Sequence, residues 1–302
     1  MIDRQTISNI KKSYKYLLDF FYKKRTLSSY EDIFFQDFCT NFSIVLGRRN
    51  DYRNFFKIEG DDGSLKSLIE HENYMFLEYD FDKILINNLA NLLMYGKAYV
   101  EVVKVFDADN NLVGIKILLL KNSIKLPFGN KIYCLFKKYN GKIEKRIIGK
   151  NDMIIFKVHD LGYTRGYFRR MLRKLRKLDA LIFALLRNSK HGFDVDVYKK
   201  KKDLELLKVG HKLGWSGRNY DSYYINEPYL IYLKMQELKI KEKILNKLLR
   251  KYNKKLLEIG KKYGFEGKIC YETRPLKIDN LYKELVEGKK NCEQVSNEIY
   301  KW

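Results

Sequence analysis

A chain of 302 residues, 45% hydrophobic and 15% aromatic, has the apolar material for one large domain or two small ones, and its 60 Lys+Arg against 37 Asp+Glu leave a formal charge of +23. Solubility needs far less charge than that, so the excess points to an anionic partner such as nucleic acid. Cys39, Cys134, Cys270 and Cys292 lie far apart with no Cys-x-x-Cys and no nearby His pair, which argues against a zinc module and a secreted disulfide framework and predicts reduced thiols.

Residues 7–24 place Ile7, Ile10, Tyr14, Leu17, Leu18 and Phe21 at three- and four-residue intervals, the period of an amphipathic helix. Lys11, Lys12 and Lys15 interrupt that segment, so it forms no signal-peptide core. The longest apolar runs, such as 180–186, fall short of the ~20 residues of a bilayer span, and no membrane partner is expected. A further helix is predicted over 82–95, with Gly96 as its stop. After it the period changes to two. Strands are predicted at 99–103 and 113–118 around the turn 107–111, then at 131–136, 143–148 and 153–158, with Asn140-Gly141 as a second turn signal. Together they predict an antiparallel sheet.

Helical spacing returns over 167–189, with Phe168, Met171, Leu172, Leu175, Leu178, Ile182 and Leu185 on one face and Arg169, Arg170, Arg173, Lys174, Arg176 and Lys177 on the other. A compact unit is then predicted as strand (193–198), helix (204–213), strand (223–226) and strand (229–234), with turn residues Gly214, Gly217, Asn219 and Asp221. From Gln236 to about Lys262 runs a long helix whose apolar stripe is Leu238, Ile244, Leu245, Leu248, Tyr252, Leu256 and Ile259, ended by Gly264. A strand at 268–272 and a helix at 281–300 close the chain. The fold class is α+β.

Catalytic patterns are missing. Neither Gly96-Lys97-Ala98 nor Gly141-Lys142-Ile143 is a phosphate loop, which needs Gly-Lys-Ser/Thr. The run from Gly210 to Gly217 superficially suggests a nucleophile elbow, but Arg218 stands where the second glycine would be, and a turn is the better reading. The four histidines lack metal-ligand spacing, and His211 is followed by Lys212, Leu213 and Gly214 rather than the His-x-x-Arg of a tyrosine recombinase. We expect no catalytic residue, no metal, no cofactor and no enzymatic activity.

The passage Asn88-Leu-Ala-Asn-Leu-Leu-Met-Tyr-Gly-Lys-Ala-Tyr-Val-Glu-Val102 resembles the portal (head-tail connector) proteins of tailed bacteriophages, in which a helix ends at Tyr-Gly-Asn-Ala-Tyr/Phe and opens a strand. Asn151-Asp-Met-Ile-Ile-Phe-Lys-Val158 is similar to the family's Asp-(Ile/Val)-Ile-His strand, with Phe156 at the His position. Gly162-Tyr-Thr-Arg-Gly166 then leads into a helix where portals have Gly-x-Ser-Pro. Leu281-Tyr-Lys-Glu-Leu-Val-Glu-Gly288 and Asn297-Glu298 resemble the family's ending. The segment order resembles that of the small, short-tailed-phage type over residues 70–302.

The resemblance implies a helix-rich wing with an antiparallel sheet (1–165), a first stem helix (166–190), a strand-helix-strand-strand clip (191–235), a second stem helix (236–264) and a C-terminal wing or crown segment (265–302). It implies a ring of about twelve subunits at a capsid vertex of the virion, assembled in the host cytoplasm. Double-stranded DNA would be packaged and ejected through it, and capsid protein, terminase and tail or adaptor proteins would be its partners. A basic, non-enzymatic nucleic-acid-binding accessory protein of replication or recombination is the alternative.

Nucleic-acid contacts are expected at Arg169, Arg170, Arg173, Lys174 and Lys177, where cations crowd one helix face without an acid, and at Lys199, Lys200, Lys201 and Lys202 between a strand and a helix. Along the long helix Glu237, Glu242 and Glu258 are interspersed among the lysines, and its polar face reads as ordinary solvated surface.

Overall fold

The computed structural model describes residues 29–40, 56–59, 65–70, 77–120, 123–128, 130–137, 143–181, 194–218, 226–271 and 277–301. The helix expected over 7–24, the Asn140-Gly141 turn, residues 182–189 and the strand expected at 223–226, apart from Asn226, lie outside them. The architecture is α+β. α1 (Ser29–Phe35) continues into a π-helical turn, Gln36–Thr40, and is followed by β1 (Phe56–Glu59), α2 (Leu65–Glu70) and α3 (Leu77–Tyr95). The period-two region forms β2 (Lys97–Phe106), β3 (Leu112–Leu119), β4 (Ser123–Phe128), β5 (Lys131–Lys137), β6 (Ile143–Gly149) and β7 (Met153–Lys157). Among the described residues α4 (Arg165–Asp179), α5 (Val195–Gly210) and α6 (Glu227–Tyr263) follow, then β8 (Lys268–Tyr271), α7 (Ile278–Val286) and α8 (Cys292–Lys301).

Among the described residues the strands pair antiparallel in three small sheets, ordered β3-β2-β7, β4-β5-β6 and β1-β8. α3 stops where Gly96 takes the left-handed φ of 76°, a conformation that costs glycine little, and its N–H bonds the Leu92 carbonyl at 2.8 Å. The chain therefore passes straight from helix into β2. Asp107 closes the β2–β3 hairpin by accepting the Asn111 N–H on Oδ1 at 2.7 Å, with Asn110 at φ 65°. Ala98, Val100 and Val102 of β2 alternate into the core, where Leu85, Leu89, Leu92 and Leu93 of α3 are also buried.

α6 is the spine of that core. Asn226 caps it by accepting the Tyr229 N–H at 3.1 Å, Pro228 occupies its first turn and Gly264 ends it at φ 79°. Its expected apolar stripe is buried throughout, and Tyr252, with no exposure, packs on Phe156 of β7 and accepts a hydrogen bond from buried Asn88 at 3.1 Å. The burial of Phe156 accounts for an apolar ring at that strand position.

The stretch expected as a strand-helix-strand-strand clip departs from the expectation. The stretch expected as a strand at 193–198 is the first turn of α5 from Val195 on, because the Asp194 carboxylate accepts the N–H groups of Asp196 and Val197 at 2.9 and 3.0 Å and starts a helix. The strand expected at 229–234 is likewise the opening of α6, so the boundary drawn between 235 and 236 falls inside one helix. The window 193–198 alternates apolar and acidic residues and 229–234 is a short apolar run, so a period-two reading suits both, and the Asp194 and Asn226 caps decide for helix. Nor does the segment after 265 stand apart, since β8 pairs with β1 from Phe56↔Tyr271 to Glu59↔Lys268.

Candidate nucleic-acid interface

α4 is built by a left-handed glycine and a cap. Gly162, at φ 87°, turns the chain out of β7 and its short 3-10 turn, and Thr164 Oγ1 accepts the Tyr167 N–H at 3.2 Å. Phe168, Met171, Leu172, Leu175 and Leu178 are all buried, Leu175 completely. Their spacing leaves Arg169, Arg170, Arg173, Lys174, Arg176 and Lys177 on the exposed side.

These cations are not equivalent. Arg176 serves the fold, because its Nε donates at 2.8 Å to Oε2 of Glu31, a fully buried carboxylate on α1. Arg170 Nε reaches back to the Gly166 carbonyl at 3.3 Å. Among the described residues Arg169, Arg173, Lys174 and Lys177 have no acidic partner. Like charges at three- and four-residue spacing repel, so this face gains from any anion laid along it.

The four lysines expected in a loop are in α5 instead. Lys199, Lys200 and Lys201 are exposed, while half-buried Lys202 sits 3.5 Å from buried Asp203. α5 packs against α4, so the two cationic groups lie on neighbouring helices. Tyr30, Asp179, Tyr198 and Asp203 gather near that junction: burial first, then the neighbours Tyr198, Asp179 and Asp203, pushes the Tyr30 hydroxyl up to about 12. The offset at Asp203 makes α5 the weaker of the two cationic surfaces.

An ionic cluster behind this surface was not apparent from local patterns. Asp37, in the π-helical turn, accepts from Trp215 Nε1 at 3.0 Å and from Arg218 Nε at 2.7 Å. Lys241 of α6, with no exposure, donates to the Asp37 backbone carbonyl at 2.7 Å and meets Glu237 at 2.5 Å, and Lys234 meets the other oxygen of Glu237 at 3.0 Å. Burial alone would raise the Glu237 carboxyl, but the Lys241 and Lys234 ammoniums outweigh it and hold it below the usual carboxylate range. Four-residue spacing of Glu237 and Lys241 within the apolar arc of a helix is the one signal that could have found the pair. The glycine-rich run 210–217 is the packing turn that delivers Trp215, for a Cβ on Gly214 would come within 2.2 Å of the Leu233 carbonyl.

Among the described residues no helix is long and apolar enough to cross a membrane. No protein-family model matches the chain, and no curated protein matches it in sequence.

Proposed function

We propose that the chain is a portal-type ring subunit of a tailed bacteriophage, a non-enzymatic channel component at a capsid vertex that meets duplex DNA through the cationic face of α4. The observation that carries the reading is the pairing of β2 with β7. The two strings that resemble the portal family, 88–102 and 151–158, are far apart in sequence, yet their strands are antiparallel neighbours from Lys97↔Lys157 to Glu101↔Met153. One is entered through Gly96 and the other is left through Gly162, which leads directly into α4. Unrelated short matches have no reason to adjoin, whereas here they form one unit that presents the cationic helix. In this reading the protein acts with copies of itself, with DNA and with capsid, terminase and tail proteins, in the virion, and needs no cofactor.

DNA passing through a channel must not be gripped at particular bases, so contact should be to phosphates, sequence-independent and strongly salt-dependent. Replacing Arg169, Arg173, Lys174 and Lys177 together by Gln is expected to flatten the slope of log affinity against log salt by about 3.6, at ~0.9 per lost phosphate contact. Stability should stay within about 0.5 kcal/mol per exposed site. A salt titration of duplex binding checks this, and an unchanged slope would remove α4 from the DNA-facing surface.

A second reading is favoured by the helical content of 195–210 and 227–234, where a portal clip was expected to have strands. There the same surface belongs to a basic accessory protein of replication or recombination that binds nucleic acid as a monomer or dimer.

A further inference from the structure

Five cations of α6 form a row outside the interface on α4. Lys243, Lys247, Arg250, Lys254 and Lys261 follow one another at intervals of four, three, four and seven, and at ~100° per residue they fall within an arc of about 60°. The buried residues Ile244, Leu245, Leu248, Tyr252, Leu256 and Ile259 centre on the opposite side of the helix. The row is about 27 Å long at ~1.5 Å per residue, the axial length of about eight base pairs of duplex.

Of the acids that dilute this charge in the sequence, Glu237 and Glu242 are off the row, while Glu258 lies at its edge, about 20° outside the arc at ~100° per residue. Glu237 is buried between Lys234 and Lys241, and Glu258 pairs with Lys255 at 3.0 Å. Glu242 belongs to the flank that faces Asp279 and Tyr271, where burial first and the Asp279 charge second push its carboxyl up. Other cations of the helix are engaged as well, Lys239 with Asp279 at 2.6 Å and Lys251 with Asp160 at 2.5 Å. Among the described residues the five in the row have no acidic partner, and Lys243, Arg250, Lys254 and Lys261 are exposed. The row also passes the turn that leads into α4: the Lys247 ammonium is so close to Gly162 that a Cβ there would stand 3.5 Å from it.

We propose that Lys243, Lys247, Arg250, Lys254 and Lys261 form a second phosphate track, which carries a duplex onward from the α4 face past Gly162. A straight, regular line of unpaired cations matches a rigid polyanion. A membrane surface would call for large apolar side chains beside the cations, and the row offers only Leu257, 55% exposed, in its gap. The proposal rests on the reading of the chain as a DNA-contacting protein, not on ring assembly.

The test is salt titration of an unspecific duplex of about 20 base pairs with two Gln sets, Lys243/Lys247/Arg250/Lys254 and Arg169/Arg173/Lys174/Lys177, alone and combined. Each set should flatten the slope by about 3.6 and the combination by about 7.2. A triple variant that keeps half-buried Lys247 should lose about 2.7, which guards against a packing effect at that site. If the α4 set flattens the slope and the α6 set does not, the track is overturned and the α4 interface stands. The reverse outcome keeps the track and removes the α4 interface. Anionic vesicles or polyglutamate whose binding is lost in the α6 set, with the duplex slope unchanged, would assign the row to another anion and overturn the proposal.

Discussion

Leu175→Asp is expected to abolish the cooperative fold. Leu175 has no exposure and stands in the main core cluster, in the middle of the apolar face that α4 turns inward. The substitution removes a buried leucine and leaves a carboxylate with no partner, costing several kcal/mol even when the acid protonates. Domains of this kind have only about 5–15 kcal/mol in hand. Thermal melting followed by near-UV circular dichroism should show the transition lost or lowered by tens of degrees. Arg173→Gln, two residues earlier and on the exposed face, should leave it unchanged within ~0.5 kcal/mol. Equal melting of the aspartate variant and the parent would mean that α4 does not pack as described.

Lys241→Met should destabilise by about 3–5 kcal/mol, because removal of one partner leaves Glu237 buried with Lys234 alone and the Asp37 carbonyl without its donor. Acid should act in opposite directions on parent and variant. In the parent the folded Glu237 carboxyl lies below its ordinary value, so its stabilisation is present above the unfolded pKa and is lost as pH falls through the folded one. Without Lys241 the burial effect dominates and the carboxyl rises, so protonation relieves part of the penalty. Urea denaturation at neutral and at mildly acidic pH should therefore give a smaller difference between the two proteins in acid. A difference below about 1 kcal/mol at neutral pH would show that the cluster contributes little to stability.

Elements with a long, strongly periodic signal were legible. α4 carries five apolar positions at helical spacing, and its inward and outward faces are those its sequence implies. The β2–β3 hairpin and the stop at Gly96 likewise follow from turn chemistry that acts over a few residues. The stretches at 193–198 and 229–234 misled because Phe193, Val195 and Val197 alternate with acids and 229–234 is a short apolar run, while the deciding groups, the Asp194 and Asn226 caps, are single side chains at the edge of the window. Lys199 to Lys202 moved from loop to helix for the same reason. Contacts that close over long separations left no local trace: Lys241 meets Asp37 across 204 positions and Arg218 meets Asp37 across 181. Nor does composition distinguish the row on α6 from a solvated face, because its acids are interleaved in sequence and separated only by the turn of the helix.

The central claim, a ring subunit, meets its most direct test in native mass. Mass photometry of the purified protein at sub-micromolar to micromolar concentration should show particles many times the 36.2 kDa chain, near twelve copies if the ring has the stoichiometry the portal resemblance implies. The α4 Gln variant and the α6 triple variant that keeps Lys247 should give the same particles, since their substituted residues are exposed. A distribution confined to monomers and dimers, with duplex binding intact, would contradict the ring and leave the accessory nucleic-acid-binding protein in its place.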